Sequence, residues 1–144
     1  MNERTSLGLG AKEVVLALLE AYGRGDFEAA TALFADDATL WIPGRLPFSG
    51  TLTGKEAIYR ENLLPSAQMS MPGSVSVEIG TVIAEGDRVA AEWVFSRITL
   101  DGRKYRNVFF ALFEVEGGKV KSMREYLDTQ YAMDMLWRDQ TNER

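Results

Sequence analysis

The 144-residue chain contains no cysteine and no histidine. These absences exclude disulfides, thiolate nucleophiles, zinc sites of the usual Cys/His kind, and any mechanism with an imidazole base. Whatever chemistry occurs must run on carboxylates, tyrosines, lysines, arginines or backbone groups. Basic residues are also in deficit, 16 against 21 acidic, for a net charge of −5. A nucleic-acid partner needs a clustered basic face, so none is expected. Long apolar runs are missing too. No run, Val14 to Leu19 included, approaches the roughly 20 residues that cross a bilayer. Met1 to Gly10 is short and polar and has no targeting pattern. The expectation is a cytoplasmic protein with no membrane partner.

With 46% hydrophobic and 26% charged residues, the chain reads as one globular domain over 10–139, with tails at 1–9 and 140–144. Val14, Val15, Leu18, Leu19 and Tyr22 recur at helical spacing and predict an amphipathic helix over 11–23. Asp26 is placed to cap a second helix carrying Phe27, Ala30 and Phe34, stopped by Asp36 and Asp37 before a strand at Ala38–Ile42. Residues 43–54, with two prolines and three glycines, predict a loop over a binding site. A third helix follows from Lys55 to Leu64, closed by Pro65. Residues 68–74 are irregular, and Met69 and Met71 are candidates for the entrance.

From Val75 onward the turn dipeptides Gly86-Asp87, Asp101-Gly102 and Gly117-Gly118 divide strands near 75–85, 88–100, 103–116 and 119–128. A last helix spans 129–139, with Asp128-Thr129 as its cap. Helices first and hairpins after make an α+β fold: three helices on a curved antiparallel sheet, with a short C-terminal helix. The run Val108 to Phe113 is continuously apolar, so both faces of that strand need cover. A second subunit is the expected cover on one face, making a homodimer.

The segment Gly25-Asp26-Phe27-Glu28-Ala29-Ala30, followed by Phe34-Ala35-Asp36-Asp37-Ala38-Thr39-Leu40, resembles the NTF2-like superfamily. The closer resemblance is to its SnoaL-like and ketosteroid-isomerase-like branch. Gly118 to Asp128 is similar to the same group's closing strand, and the match covers roughly residues 10–136. The resemblance implies a cone-shaped fold with one cavity; it does not specify an activity. The three proton-transferring or hydrogen-bonding positions of ketosteroid isomerase fall at Ile42, Leu18 and about Phe110, so that activity is not carried over. Of the five roles in limonene-epoxide hydrolase, Arg97 and Glu125 match two. The other positions hold Thr99, Trp41 and Pro43. The polyketide-cyclase branch asks only for an apolar pocket and one carboxylate, which Glu125 can supply.

Alternation along the strands bears on the same residues. Ala91, Trp93, Phe95, Arg97 and Thr99 share a face, and so do Met123, Glu125 and Leu127. If both faces line one cavity, an Arg97–Glu125 pair is the natural outcome, because a lone buried charge is costly. Glu125 then has three readings: a proton shuttle, a structural ion-pair partner, or a surface residue. The catalytic candidates are Glu125 and Arg97. The ligand-binding candidates are Trp41, Tyr59, Trp93, Phe95, Tyr105, Asn107, Phe110 and Met123. No metal ligands and no cofactor are assigned. The sequence thus points to a cofactor-independent enzyme performing acid–base isomerisation, cyclisation or hydration of a small apolar metabolite. The alternative is a non-catalytic binding protein with the same cavity.

Overall fold

The computed structural model describes residues 10–137. The tail segments 1–9 and 140–144, and residues 138–139 of the expected last helix, lie outside the described residues. Helix α1 (Ala11–Gly23) buries Val14, Val15, Leu18, Leu19 and Tyr22, the stripe its spacing predicts. Helix α2 (Phe27–Ala32) is capped by Asp26, whose carboxylate accepts from the Ala29 backbone N–H.

Strand β1 (Phe34–Ile42) starts earlier than its sequence suggests. Phe34 pairs with Val120 in the sheet, and Asp36 and Asp37 lie inside the strand where its register against the neighbouring strand shifts. A bulge tolerates two exposed carboxylates that a regular central strand would not. The expected loop 43–54 also contains a strand, β2 (Gly50–Thr53), paired antiparallel with β1. Residues 43–49 remain a loop.

The third helical stretch does not stop at Pro65. It runs as α3 (Lys55–Ile58), a π segment (Tyr59–Leu63) and α4 (Leu64–Gln68). Proline in a helix lacks an N–H and crowds the preceding turn. Here the wider π turn comes immediately before it, with the Leu64 N–H bonded back to the Tyr59 carbonyl. Pro65 thereby occupies the first turn of a new α segment, where its missing donor costs nothing.

Strands β3 (Ser76–Glu85), β4 (Arg88–Ile98), β5 (Lys104–Glu116) and β6 (Lys119–Leu127) form the expected antiparallel meander. The six-stranded sheet has the order β2-β1-β6-β5-β4-β3. Because β1 lies parallel to β6, the sheet is mixed and not purely antiparallel. The connection from β1 to its parallel neighbour passes through β2, the 55–68 helical stretch and β3 to β5, so the turn signals in the sequence could not reveal it. Helix α5 (Thr129–Leu136) ends the described chain, capped by Asp128 accepting from the Tyr131 N–H.

Asn107 on β5 anchors α5 to the sheet. Its Nδ2 donates to the Asp128 carbonyl at 3.1 Å and to the Tyr105 hydroxyl at 2.9 Å, and its Oδ1 accepts from the Asp128 N–H at 3.3 Å. Asn107→Leu would leave the Asp128 backbone groups without these partners, at a cost of about 1–3 kcal/mol. Urea denaturation should show that loss, and hydrogen exchange should show α5 opening before the sheet. Unchanged exchange in α5 would mean that the helix is held elsewhere.

Candidate functional site

The inner faces of β4, β5 and β6 and the overlying helices enclose a cavity of about 70 Å³. Its lining is mainly aromatic and aliphatic. Trp93 stacks on Phe109 with centroids 5.4 Å apart, and Phe95 meets Phe109 edge-on at 6.1 Å. The mouth is closed from two sides: Leu46 and Phe48 come from the 43–49 loop, and Leu136 and Trp137 from the end of α5. Phe48 and Trp137 meet edge to face at 5.2 Å. Gly44 lets the loop approach that closely, because it has a positive φ of 81° and a Cβ there would stand 2.9 Å from Thr129 Cγ2.

Arg97 and Glu125 are the charged residues of the lining, and both are buried, at 5% and 8% relative exposure. They do not pair. Arg97 Nη1 donates to the Ser66 carbonyl at 2.8 Å and to Ser70 Oγ at 3.2 Å, and Nη2 donates to Ser66 Oγ at 3.1 Å. The guanidinium also lies over the rings of Phe95 at 4.7 Å and Tyr105 at 5.1 Å. Burial lowers its pKa to about 10, which leaves it cationic at neutral pH.

Sheet register keeps the two charges apart. Glu125 stands opposite Ala111, and Ala111 opposite Ala91, whereas Arg97 stands opposite Tyr105. Arg97 is therefore six residues along β4 from the row that holds Glu125. That is roughly 20 Å along the strand, and no ion pair joins the two residues. The expected buried ion pair does not form.

Glu125 has no hydrogen-bond or ion-pair partner among the described residues. Desolvation alone raises its carboxyl pKa from 4.5 to about 7, with no arginine contributing. Near neutral pH both its protonated and ionised forms are therefore populated. Tyr22 from α1 lines the same cavity. Burial, and secondarily the Glu125 charge, push its phenol well above the ordinary tyrosine range. Tyr22 is thus a permanent O–H donor beside a carboxyl that titrates.

The structure divides the candidate residues. Trp93, Phe95, Arg97, Tyr105 and Glu125 come together in the cavity lining. Trp41 and Phe110 do not, since both lie on the outer face of the sheet. Trp41 alternates with buried Leu40 and Ile42, and it meets Tyr126 at 5.4 Å and the Arg124 guanidinium at 4.2 Å. Phe110 is 44% exposed, because its neighbours Phe109 and Ala111 point inward. Tyr59 packs against the core outside the lining, and the π segment turns Asn62 and Leu63 inward in its place. Met123 is buried in the core. Asn107 is buried as the α5 anchor already described. Neither reaches the cavity. Met69 and Met71 are also absent from the lining.

Leu46 and Phe48 belong to the loop that the sequence expects over a binding site, whereas Tyr22 and Trp137 enter the lining from helix positions with no such expectation. Of these last two, Tyr22 carries a usable signal: a polar-tipped residue ending an otherwise aliphatic stripe.

A carboxyl raised by burial makes a testable demand on stability. Between its unfolded value of 4.5 and about 7, native Glu125 holds a proton that the unfolded chain has released. Stability from this group is full below 4.5 and is lost as pH rises through about 7. The loss is on the order of 3 kcal/mol. Glu125→Gln should therefore be more stable than wild type at pH 8 by about that amount, with the gap closing at acidic pH. Urea melts of both proteins across pH measure it, and a pH-independent gap would contradict the assignment.

Residues 15–123 match the family model of the SnoaL-like domain. No curated protein matches the chain significantly. Among solved structures, Bal32a from a soil-derived mobile gene cassette is similar, at 26% identity over 94% of this chain and 99% of that one, with a TM-score of 0.75. A hypothetical protein with a ketosteroid-isomerase-like fold from Catenulispora acidiphila, solved with trimethylamine, shares 22% identity. That match covers 86% of this chain and 92% of the other, at a TM-score of 0.72. An NTF2-like protein from Burkholderia thailandensis shares the fold at a TM-score of 0.76 and 17% identity, over 88% of this chain and 97% of that one. With its helices on a curved sheet and the family model matching most of its length, the chain belongs to the SnoaL-like domain family and has the NTF2-like fold.

Proposed function

We propose that the protein is a cofactor-independent acid–base enzyme that isomerises, cyclises or hydrates a small, largely apolar metabolite in this cavity. One observation carries the reading. Glu125 is buried against the cavity with no partner among the described residues, and its pKa is raised to about 7. A group with both protonation states available at working pH can accept a proton from one position of a substrate and return it to another. The Tyr22 phenol supplies a hydrogen-bond donor for oxygen charge that develops beside it. Trp93, Phe95 and Phe109 offer flat apolar walls to hold a conjugated or cyclic substrate.

Two relatives' mechanisms lack support here. The ketosteroid-isomerase positions remain Ile42, Leu18 and Phe110, and Phe110 points away from the cavity. The carboxylate–arginine–carboxylate contact of limonene-epoxide hydrolase has no counterpart, since Arg97 bonds to Ser66 and Ser70.

A panel of epoxides, polyketide-like ketones and enones tests the proposal. Glu125→Gln should lower turnover of any accepted substrate by about 100-fold or more. The kcat/KM profile of the wild type should show an inflection near pH 7 that the variant lacks. Unchanged turnover in the variant would remove Glu125 from the mechanism. Saturable binding without turnover would favour a carrier.

We further propose that the functional unit is a homodimer joined through the outer face of the sheet. Val108, Phe110, Leu112 and Tyr126 stand exposed there as one apolar patch. Light scattering should give twice the chain mass, and Val108→Glu with Phe110→Glu should give the single mass with unchanged circular dichroism. A wild-type monomer would refute the dimer.

A further inference from the structure

The Arg97 guanidinium is a buried cation without a counter-anion. Its acceptors are a backbone carbonyl and two serine hydroxyls, and its flanks are aromatic faces. No carboxylate among the described residues pairs with it. Burying an ion costs several kcal/mol unless an opposite charge accompanies it.

The hydrogen bonds of the guanidinium leave its donors only partly satisfied. A guanidinium has five N–H groups. The edge formed by Nη1 and Nη2 is taken by the Ser66 carbonyl and hydroxyl, with Ser70 on the remaining Nη1 hydrogen. The other edge, formed by Nε and the second Nη2 hydrogen, has no acceptor among the described residues. Nε itself is fully buried and unsatisfied. A guanidinium with bonds left unmade is a natural partner for the oxygens of a carboxylate.

We infer that Arg97 is an anion subsite, and that the cavity's ligand is a small flat organic monoanion whose carboxylate pairs with this cavity-lining guanidinium. The inference rests on the reading of the cavity as the ligand site and names the ligand's class. A single cation calls for a single negative charge, so a phosphate dianion is a poorer match. The aromatic walls between Arg97 and Glu125 call for a planar, conjugated body. The register offset sets the geometry: the anionic end lies at Arg97 and the opposite end of the ligand points toward Glu125 and Tyr22. Arg97 therefore anchors the ligand without touching Glu125.

Binding alone tests this, independently of turnover. Calorimetry, supported by Trp fluorescence, would compare trans-cinnamate with trans-cinnamamide and benzoate with benzamide, pairs alike in shape but not in charge. Wild type should prefer each carboxylate by about tenfold or more, a difference of about 1.4 kcal/mol. Arg97→Gln should bring each pair to within about twofold. Ser70→Asp keeps Arg97 but gives it an internal counter-anion 3.2 Å away in the parent geometry. It should erase the preference too, and it covers the case in which Arg97→Gln does not fold. Glu125→Gln should keep the preference, so failure of the acid–base reading would leave this result intact. Equal binding of acid and amide by wild type, no saturable carboxylate binding at millimolar concentration, or a preference that survives Ser70→Asp would each overturn the assignment.

Discussion

Strand register governs this site. Arg97 and Glu125 both face inward from neighbouring parts of one sheet, and six residues of offset prevent them from neutralising each other. Had they met, Glu125 would be a fixed anion and the cavity electrically quiet. Held apart, each keeps what burial does to it. The carboxyl is pushed toward neutrality, and the guanidinium, too basic to lose its proton, stays charged and uncompensated. Two different chemistries therefore coexist in one apolar space.

The register is supported from the helical side. Arg97 reaches across to Ser66 and Ser70, which bracket the end of α4. That segment is in place because the π turn absorbs the defect created by Pro65. The carbonyls of a helix C-terminus carry partial negative charge, so an arginine there is favourable. The proline that looked like a stop signal is thus part of how the sheet's only inward-facing arginine among the described residues is held away from Glu125. On the opposite side, Asn107 fixes the start of α5, and α5 carries Trp137 to the cavity mouth. These two polar anchors, one on each side, set the walls between which the aromatic lining packs.

Much of this was legible in the chain. Period-2 alternation placed Trp93, Phe95 and Arg97 on one face and Met123, Glu125 and Leu127 on another, and the three glycine-containing turns marked the meander. Parity failed where every residue was apolar. In the run Val108 to Phe113, nothing in the sequence says that Phe109 faces in and Phe110 out. Trp41 failed for a related reason, since an aromatic on the outer face packs on Tyr126 and looks like core. Pairing failed because facing inward is a property of one strand, while distance is a property of two. No periodicity within β4 or β6 encodes the slide of one against the other.

The missing histidine takes on a sharper sense in this setting. An imidazole beside Arg97 would lose its proton to electrostatic repulsion, and one at Glu125 would be held neutral by burial. A carboxyl responds to burial in the opposite direction, moving up into the range where imidazole ordinarily works. A fold that surrounds one glutamate with hydrocarbon and keeps its arginine out of register obtains a neutral-pH proton carrier from a residue that titrates near 4.5 when unburied. The cost is borne by stability above neutral pH, and that makes burial without a partner a chemical feature of the cavity as well as a packing one.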